Sequence, residues 1–211
     1  MKSTALRLVC VIFGLLSAVA RAYEPEEGKI SLTFGPTYYR TFFQADHPLI
    51  DPEQQHGFAV IAEGSVGKRG SLEIGVFPMH KVFIREQQNN FVAEQIKLIY
   101  ITMGYRQWFS NRVSGALALF SSYPMGDAKV LQNDLAPGGY LDTSARDATE
   151  YGFDFSVMVD LLNQPKFSVT LDARYSLSVT NKDNEESDHL MGMIGVRYLL
   201  QKKGRRPPGK K

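Results

Sequence analysis

The residues best suited to chemistry in this chain are four histidines and several grouped carboxylates. His47 and His56 stand near Asp46, Asp51 and Glu53, which together offer nitrogen and oxygen donors to a divalent metal. A solvated polar loop explains the same residues, and no metal is assigned. Asp183, Glu185, Glu186 and Asp188 form a second acidic group. It lacks the central glycine and ligand spacing of a calcium loop, so a solvated acidic loop is again the expectation. No catalytic set emerges and no cofactor is expected. The remaining charges lie inside alternating segments, so their role depends on the elements that carry them.

The N-terminus is an address. Lys2 and Arg7 precede the apolar run 8–20, and Ala20-Arg21-Ala22 places small residues where a signal peptidase reads. Residues 1–22 read as a secretory signal peptide cleaved before Tyr23, with Ala18-Val19-Ala20 as a second possible cut. Cys10, the single cysteine of the chain, falls inside that run. The mature chain then has no disulfide, thiolate nucleophile or Cys-rich zinc site. Residues 1–22 hold three basic residues and no acid, and 202–211 hold six basic residues. The body 23–201 therefore carries 15 basic against 22 acidic residues, beneath a formal total of +2. Export makes nucleic acid an improbable partner for the basic tail, which is expected to be disordered on the periplasmic side.

Beyond the signal peptide the apolar period is two, the mark of strands with unlike faces. Residues 167–179 place Phe167, Val169, Leu171, Ala173, Tyr175, Leu177 and Val179 on one face. Ser168, Thr170, Asp172, Arg174, Ser176 and Ser178 lie on the other. Eight strands are expected at 29–43, 57–66, 71–85, 95–109, 112–123, 150–162, 166–179 and 189–200. The second, fourth and sixth connections are tight turns; the first, third, fifth and seventh (44–56, 86–94, 124–149 and 180–188) are longer and polar. All turns then fall at one end and all loops at the other, the plan of an up-and-down barrel. Pro36 and Pro78 fall within strands, where bulges are expected because proline lacks a ladder donor.

Alternation also suits a secreted lipocalin-type barrel with its apolar face inward. Three features favour an apolar face turned to lipid. The polar face is rich in small residues such as Ser114, Ala118, Gly152, Ser156 and Ser176, as the narrow interior of eight strands requires. Aromatics gather near strand ends: Tyr38, Phe42, Tyr123 and Tyr151 towards the loops, and Tyr105, Phe167 and Tyr198 towards the turns. No Gly-x-Trp occurs near the first strand, and the lone Trp108 is in the fourth. On this architecture, residues 27–200 resemble the small eight-stranded outer-membrane barrels, the class of OmpX, OmpW and the OmpA barrel domain. The final strand adds a short motif, Gly195-x-x-Tyr198-x-Leu200, similar to the signal that the barrel insertion machinery reads in that class. The last position is usually aromatic there and is Leu here, and eleven residues follow it.

The resemblance implies an all-β, eight-stranded antiparallel transmembrane barrel in the cell outer membrane, following a cleaved signal peptide. By phase, Glu63, Glu73, Arg106, Asp154, Asp160, Asp172, Arg174 and Arg197 point inward. An unpaired buried charge costs several kcal/mol, so they should form an ion-pair network. Arg106 and Arg197 should pair with Glu63, Glu73, Asp160 or Asp172. Such a network either plugs the barrel or gates a narrow conductance. Strand four is apolar on both faces around residues 96–101, so its phase is inferred from Arg106. Arg40, His80 and Lys97 point outward about nine residues from the turn end, across an apolar band of ~25 Å. Cations at that height face lipopolysaccharide phosphates, or simply snorkel. Some barrels of this class modify lipid A through a His–Ser pair at the lipid-facing rim. Here Ser187 and Asp188 precede His189, while Leu190 and Met191 follow it, so the His-x-Ser spacing is absent. A non-enzymatic role, structural or surface-binding through the loops, is expected; a narrow channel is the alternative.

Overall fold

The computed structural model describes residues 27–42, 55–87, 90–136, 139, 141–143, 147–164, 166–180 and 188–200. The segment 1–22 expected to be a signal peptide, the tail 202–211 and the loop residues Asp46, His47, Asp51 and Glu53 lie outside them. So do Asp183, Glu185, Glu186 and Ser187.

Eight strands run in order around one closed sheet, each antiparallel to the next: β1 (Ile30–Phe42), β2 (Gln55–Ser65), β3 (Gly70–Gln87), β4 (Asn90–Trp108), β5 (Val113–Asn133), β6 (Glu150–Asn163), β7 (Phe167–Ser178) and β8 (Asp188–Leu200). β8 pairs with β1 from Ile30↔Leu200 to Phe42↔Asp188, which removes both sheet edges. Registered pairs lead from Ile30 through Gly64, Leu72, Tyr105, Leu117, Phe155, Tyr175 and Leu190 back to β1 at Arg40. The path returns ten residues further along β1, and this stagger on eight strands sets a tilt of ~40°.

Burial follows the period-two pattern. In β6, Gly152, Asp154, Ser156 and Met158 are buried, while Tyr151, Phe153, Phe155 and Val157 are exposed. In β4 the inward face is Ile96, Leu98, Tyr100, Thr102, Arg106 and Trp108. Gly195 is buried against Thr33 and Thr170, and Tyr198 and Leu200 face outward.

Three expectations need correction. The stretch 86–94 is not a long loop: β3 and β4 continue to Gln87↔Asn90. β5 does not end at 123 but runs to Asn133, paired with β4 through two register shifts, near Ala93/Glu94 and Gln95/Lys97. Gly126, Asp127 and Pro124 break the local strand pattern there, yet the backbone of β4 offers a partner that local sequence does not reveal. Beyond Val76 and Ser122, β3 and β5 keep registered pairing with β4 alone. The seven residues from Lys81 to Gln87 carry this three-stranded sheet ~23 Å along the strand direction. His56, expected in the first loop, belongs to β2 opposite Tyr38.

Pro36 and Pro78 do not make bulges either. Pro36↔Phe58 and Pro78↔Ile99 sit in unbroken register. Each proline instead lies where pairing on its other side lapses. β1–β8 pairs skip Gly35 and Pro36, and β2–β3 pairs stop at Val76. The lost donor therefore falls where no ladder bond is made.

Close strand contact depends on glycines, Gly104 and Gly35 among them. A Cβ on Gly104 would stand 2.3 Å from the Leu117 carbonyl oxygen and 2.5 Å from Ala118 Cα. One on Gly35 would stand 2.1 Å from the Ile194 carbonyl oxygen. These neighbours are backbone and cannot turn aside. Gly104→Ala and Gly35→Ala are expected to lower the urea midpoint of unfolding by the equivalent of ~1–3 kcal/mol. Gly64→Ala, with nothing within 4 Å of its Cβ, should match the unaltered protein. Equal midpoints for all three would refute the close-approach account.

Candidate functional site

All eight strands bring polar side chains to the turn-side half of the interior, Ser31 and Thr33 of β1 among them. Arg106 Nε donates to Glu73 Oε2 at 2.7 Å, and its other nitrogens reach Ser114 Oγ at 3.0 Å, Ser156 Oγ at 2.9 Å and Asp172 Oδ2 at 3.3 Å. Arg174 donates to Asp172 at 2.6 Å, Asp154 at 2.9 Å and Glu73 at 3.3 Å. Glu73 and Asp172 thus each bridge two guanidiniums. Arg197 donates to Asp160 and lies 4.6 Å from the Trp108 ring centre. Glu63 Oε1 accepts from Ser71 Oγ at 2.7 Å and Trp108 Nε1 at 3.1 Å, and Glu63 Oε2 is 3.9 Å from Arg106. All eight inward charges are brought together, each at most 2% exposed.

Two further layers lie above the charges. Tyr100 stacks at 5.7 Å on Phe77, 4.8 Å on Phe120 and 4.8 Å on His189. Its hydroxyl is 2.7 Å from Ser176 Oγ and 3.1 Å from Asp154 Oδ2, which joins the aromatic layer to the charged one. Nearer the loops, Lys81 Nζ donates to Glu150 Oε1 at 2.6 Å, and Ser122 donates to Oε2 at 3.3 Å. Beside that pair is a pocket of about 10 Å³, room for about one water, lined by Thr41, Met79, Leu98 and His189 among others. Sequence reasoning missed Lys81 and Glu150. Their signal was the phase alone, since Lys81 follows outward His80 and Glu150 precedes outward Tyr151.

Arg40, His80 and Lys97 all lie on the outward face, with His80 directly opposite Lys97. The His80 backbone N–H donates to the Tyr39 hydroxyl at 2.6 Å, tying β3 to β1 across β2. The ten residue steps from Ile30 to Arg40 rise about 25 Å along the axis. Below these three cations, down to the turns, the outward faces of all eight strands carry no charge among the described residues. Tyr38, Tyr123, Tyr151, Tyr105, Phe167 and Tyr198 are exposed on that face; the side chain of Phe42 is outside the described set. His189 points inward, away from the lipid-facing rim. Asp188 accepts from Ser178 N at 3.0 Å and from the Tyr175 hydroxyl at 2.6 Å, so it caps the β7–β8 end. Among the described residues no three His, Cys, Asp or Glu side chains group as a metal site.

Among solved structures, Ail, the attachment invasion locus protein of Yersinia pestis in complex with the heparin analogue sucrose octasulfate, aligns at TM-score 0.52. It shares 15% identity over 82% of this chain and 99% of its own. The outer membrane protein OprG from Pseudomonas aeruginosa aligns at TM-score 0.56, with 10% identity over 84% of this chain and 98% of its own. The chain has the fold of the small outer-membrane β-barrels. No protein-family profile matches the sequence, and no curated protein matches it. For an outer-membrane-type barrel the exposed apolar belt is the expected surface. A soluble monomer rarely shows an apolar patch beyond about 600 Å², whereas here the belt encircles the molecule, so lipid is its solvent.

Arg174 holds three carboxylates of the charged layer, and Arg197 holds Asp160 among the described residues. Arg174→Ala is therefore expected to destabilise the barrel by ~3–5 kcal/mol, read from urea unfolding in lipid vesicles. Arg197→Ala should cost less. The reverse order would show that the bridged carboxylates are not the centre of the network.

Proposed function

We propose that this protein is a non-enzymatic barrel of a Gram-negative outer membrane that binds at the cell surface through its loop end. The observation that carries this reading is the sheet of β3, β4 and β5, which continues past the rim cations as ordered structure. Loops on a rigid scaffold commonly carry function, and here the scaffold itself extends into them. Phe83, Phe91, Val92 and Ala93 are buried in the extension, on both faces of its strands, which supports a built element.

The closed interior supports a plug in place of a channel. Arg106, Arg174 and Arg197 are among the largest fully buried side chains, and an aromatic layer lies over them. The inward aim of His189, packed on Tyr100 and Phe120, argues against lipid A hydrolysis at the outer rim. Arg40, His80 and Lys97 suit lipopolysaccharide phosphates, since guanidinium and ammonium groups form charge-assisted bonds with phosphate oxygens. Ail, a protein of this fold, was captured with a polysulfated sugar, another dense polyanion.

Two measurements test the reading. With Cys10 removed in the signal peptide, Lys129→Cys should react with an impermeant maleimide on intact cells, and Lys68→Cys only after permeabilisation. Labelling of position 68 on intact cells would invert the proposed orientation. Arg40→Ala with Lys97→Ala should reduce copurified lipopolysaccharide severalfold; an unchanged amount would reduce the rim cations to snorkelling side chains.

A further inference from the structure

β2 and β3 have no registered pairs above Val60↔Val76, yet the two strands stay in step. A Cβ on Gly104 would meet the carbonyl of Leu117, the residue before its partner Ala118. One on Gly152 would meet the carbonyl of Leu177, the residue before its partner Ser178. One on Gly57 would meet the Pro78 carbonyl oxygen, at 2.9 Å, in the same way. Gly57 therefore stands opposite Met79, and His56 opposite His80. Pro78 has no N–H to give β2, and the His80 N–H is taken by the Tyr39 hydroxyl, so the neighbouring strands make no ladder there.

One row then crosses the outward face: Tyr38 on β1, His56 on β2, His80 on β3, Lys97 on β4 and Met125 on β5. Neighbouring strands carry its members ~4.8 Å apart. Three consecutive places hold a basic side chain, and the row contains no carboxylate. Basic side chains placed directly opposite one another bring no cross-strand attraction, so the run is a poor structural device. It is a good set of donors for an anion, since imidazole and ammonium N–H groups bond phosphate oxygens. His56 and Lys97 are exposed and His80 is half-buried on the same face.

The level of the row identifies the source of the phosphate. Phe58 and Val60 are exposed below His56 on β2, and Val76 below His80 on β3, so the row stands where the apolar belt gives way. Traced through the register, Arg40, His56, His80 and Lys97 lie within ~6 Å of one level along the axis, all on β1–β4. At that level β5, β6, β7 and β8 turn Tyr123, Tyr151, Leu177 and Asp188 outward, with no basic side chain among the described residues. An amphiphile is held at both ends on the basic side, by the row and by the belt beneath it.

We propose that His56, His80 and Lys97 bind one phosphate of an outer-leaflet glycolipid whose acyl chains lie down the apolar face of β2, β3 and β4. This rests on the lipopolysaccharide reading of the rim and narrows it to one row on one side of the barrel.

The test uses the mature full-length protein in detergent micelles, titrated with purified lipid A and with the same lipid stripped of its phosphates, and read by native mass spectrometry. The unaltered protein should hold lipid A about tenfold or more tighter than the stripped lipid. His56→Gln with His80→Gln should remove most of that difference. Lys68→Gln, which deletes a charge at the far end of the barrel, should leave it intact. The mobility shift between unheated and boiled samples establishes that each variant is folded. Should the double variant fail to fold, Lys97→Gln alone, on an exposed side chain, should shrink the difference severalfold. A difference that survives either folded variant overturns the row. So does displacement of lipid A by millimolar inorganic phosphate, the mark of a free-anion site. Zinc binding that the histidine variant abolishes with no change in lipid A affinity would make the row a metal pair instead. If Arg40→Gln weakens lipid A binding and the histidine variant does not, the rim reading stands and the row falls. If the unaltered protein makes no distinction between the two lipids, the rim reading falls with it.

Discussion

Closure of the sheet is the constraint on which everything else depends. A strand in hydrocarbon cannot leave its amides and carbonyls unbonded, because each unsatisfied group costs several kcal/mol. Pairing β8 with β1 from Ile30 to Phe42, with a lapse only at Gly35 and Pro36, discharges that requirement at both edges together. A ten-residue stagger on eight strands then fixes the tilt and with it the radius. The radius decides the interior, which has space for side chains and little more. Small residues such as Ser114 and Ser156 stand beside Arg106 because the narrow interior leaves little room around its guanidinium.

The charged layer follows from that geometry. Facing neighbours on eight strands place inward side chains within hydrogen-bond reach across the axis. Glu73 on β3 can thus meet Arg106 on β4 and Arg174 on β7. The desolvation cost of three buried arginines is offset only because each finds carboxylate or hydroxyl partners. Tyr100 then couples this layer to the aromatic one above it. Polar and apolar groups are stacked inside the barrel, whereas outside it the lipid belt is uninterrupted.

The two rims differ in how they are built. On the loop side, β3, β4 and β5 outgrow the barrel, so that end is a sheet with its own buried residues. On the turn side, three short connections and the entry to β1 keep all backbones within hydrogen-bond reach. One barrel therefore offers a projecting surface on one side and a row of tight turns on the other.

Much of this was legible in the chain itself. Period-two alternation identified the eight strands and assigned Glu63, Glu73, Arg106, Asp154, Asp160, Asp172, Arg174 and Arg197 to one face. Alternation is a local property, set by the pleat, and local sequence reports it. The same pattern left Lys81 and Glu150 unnoticed, since each is legible only by counting on from a neighbour. It also ended β5 ten residues early and turned the β3–β4 hairpin into a loop. Those residues are ordered by pairing with β4, a contact that Gly126 and Pro124 obscure. The sequence by itself determined which residues share a face and how the strands follow one another. Which carboxylate meets which arginine and where the prolines find harmless places were decided only by the closed register, because each depends on strands brought together from distant parts of the chain.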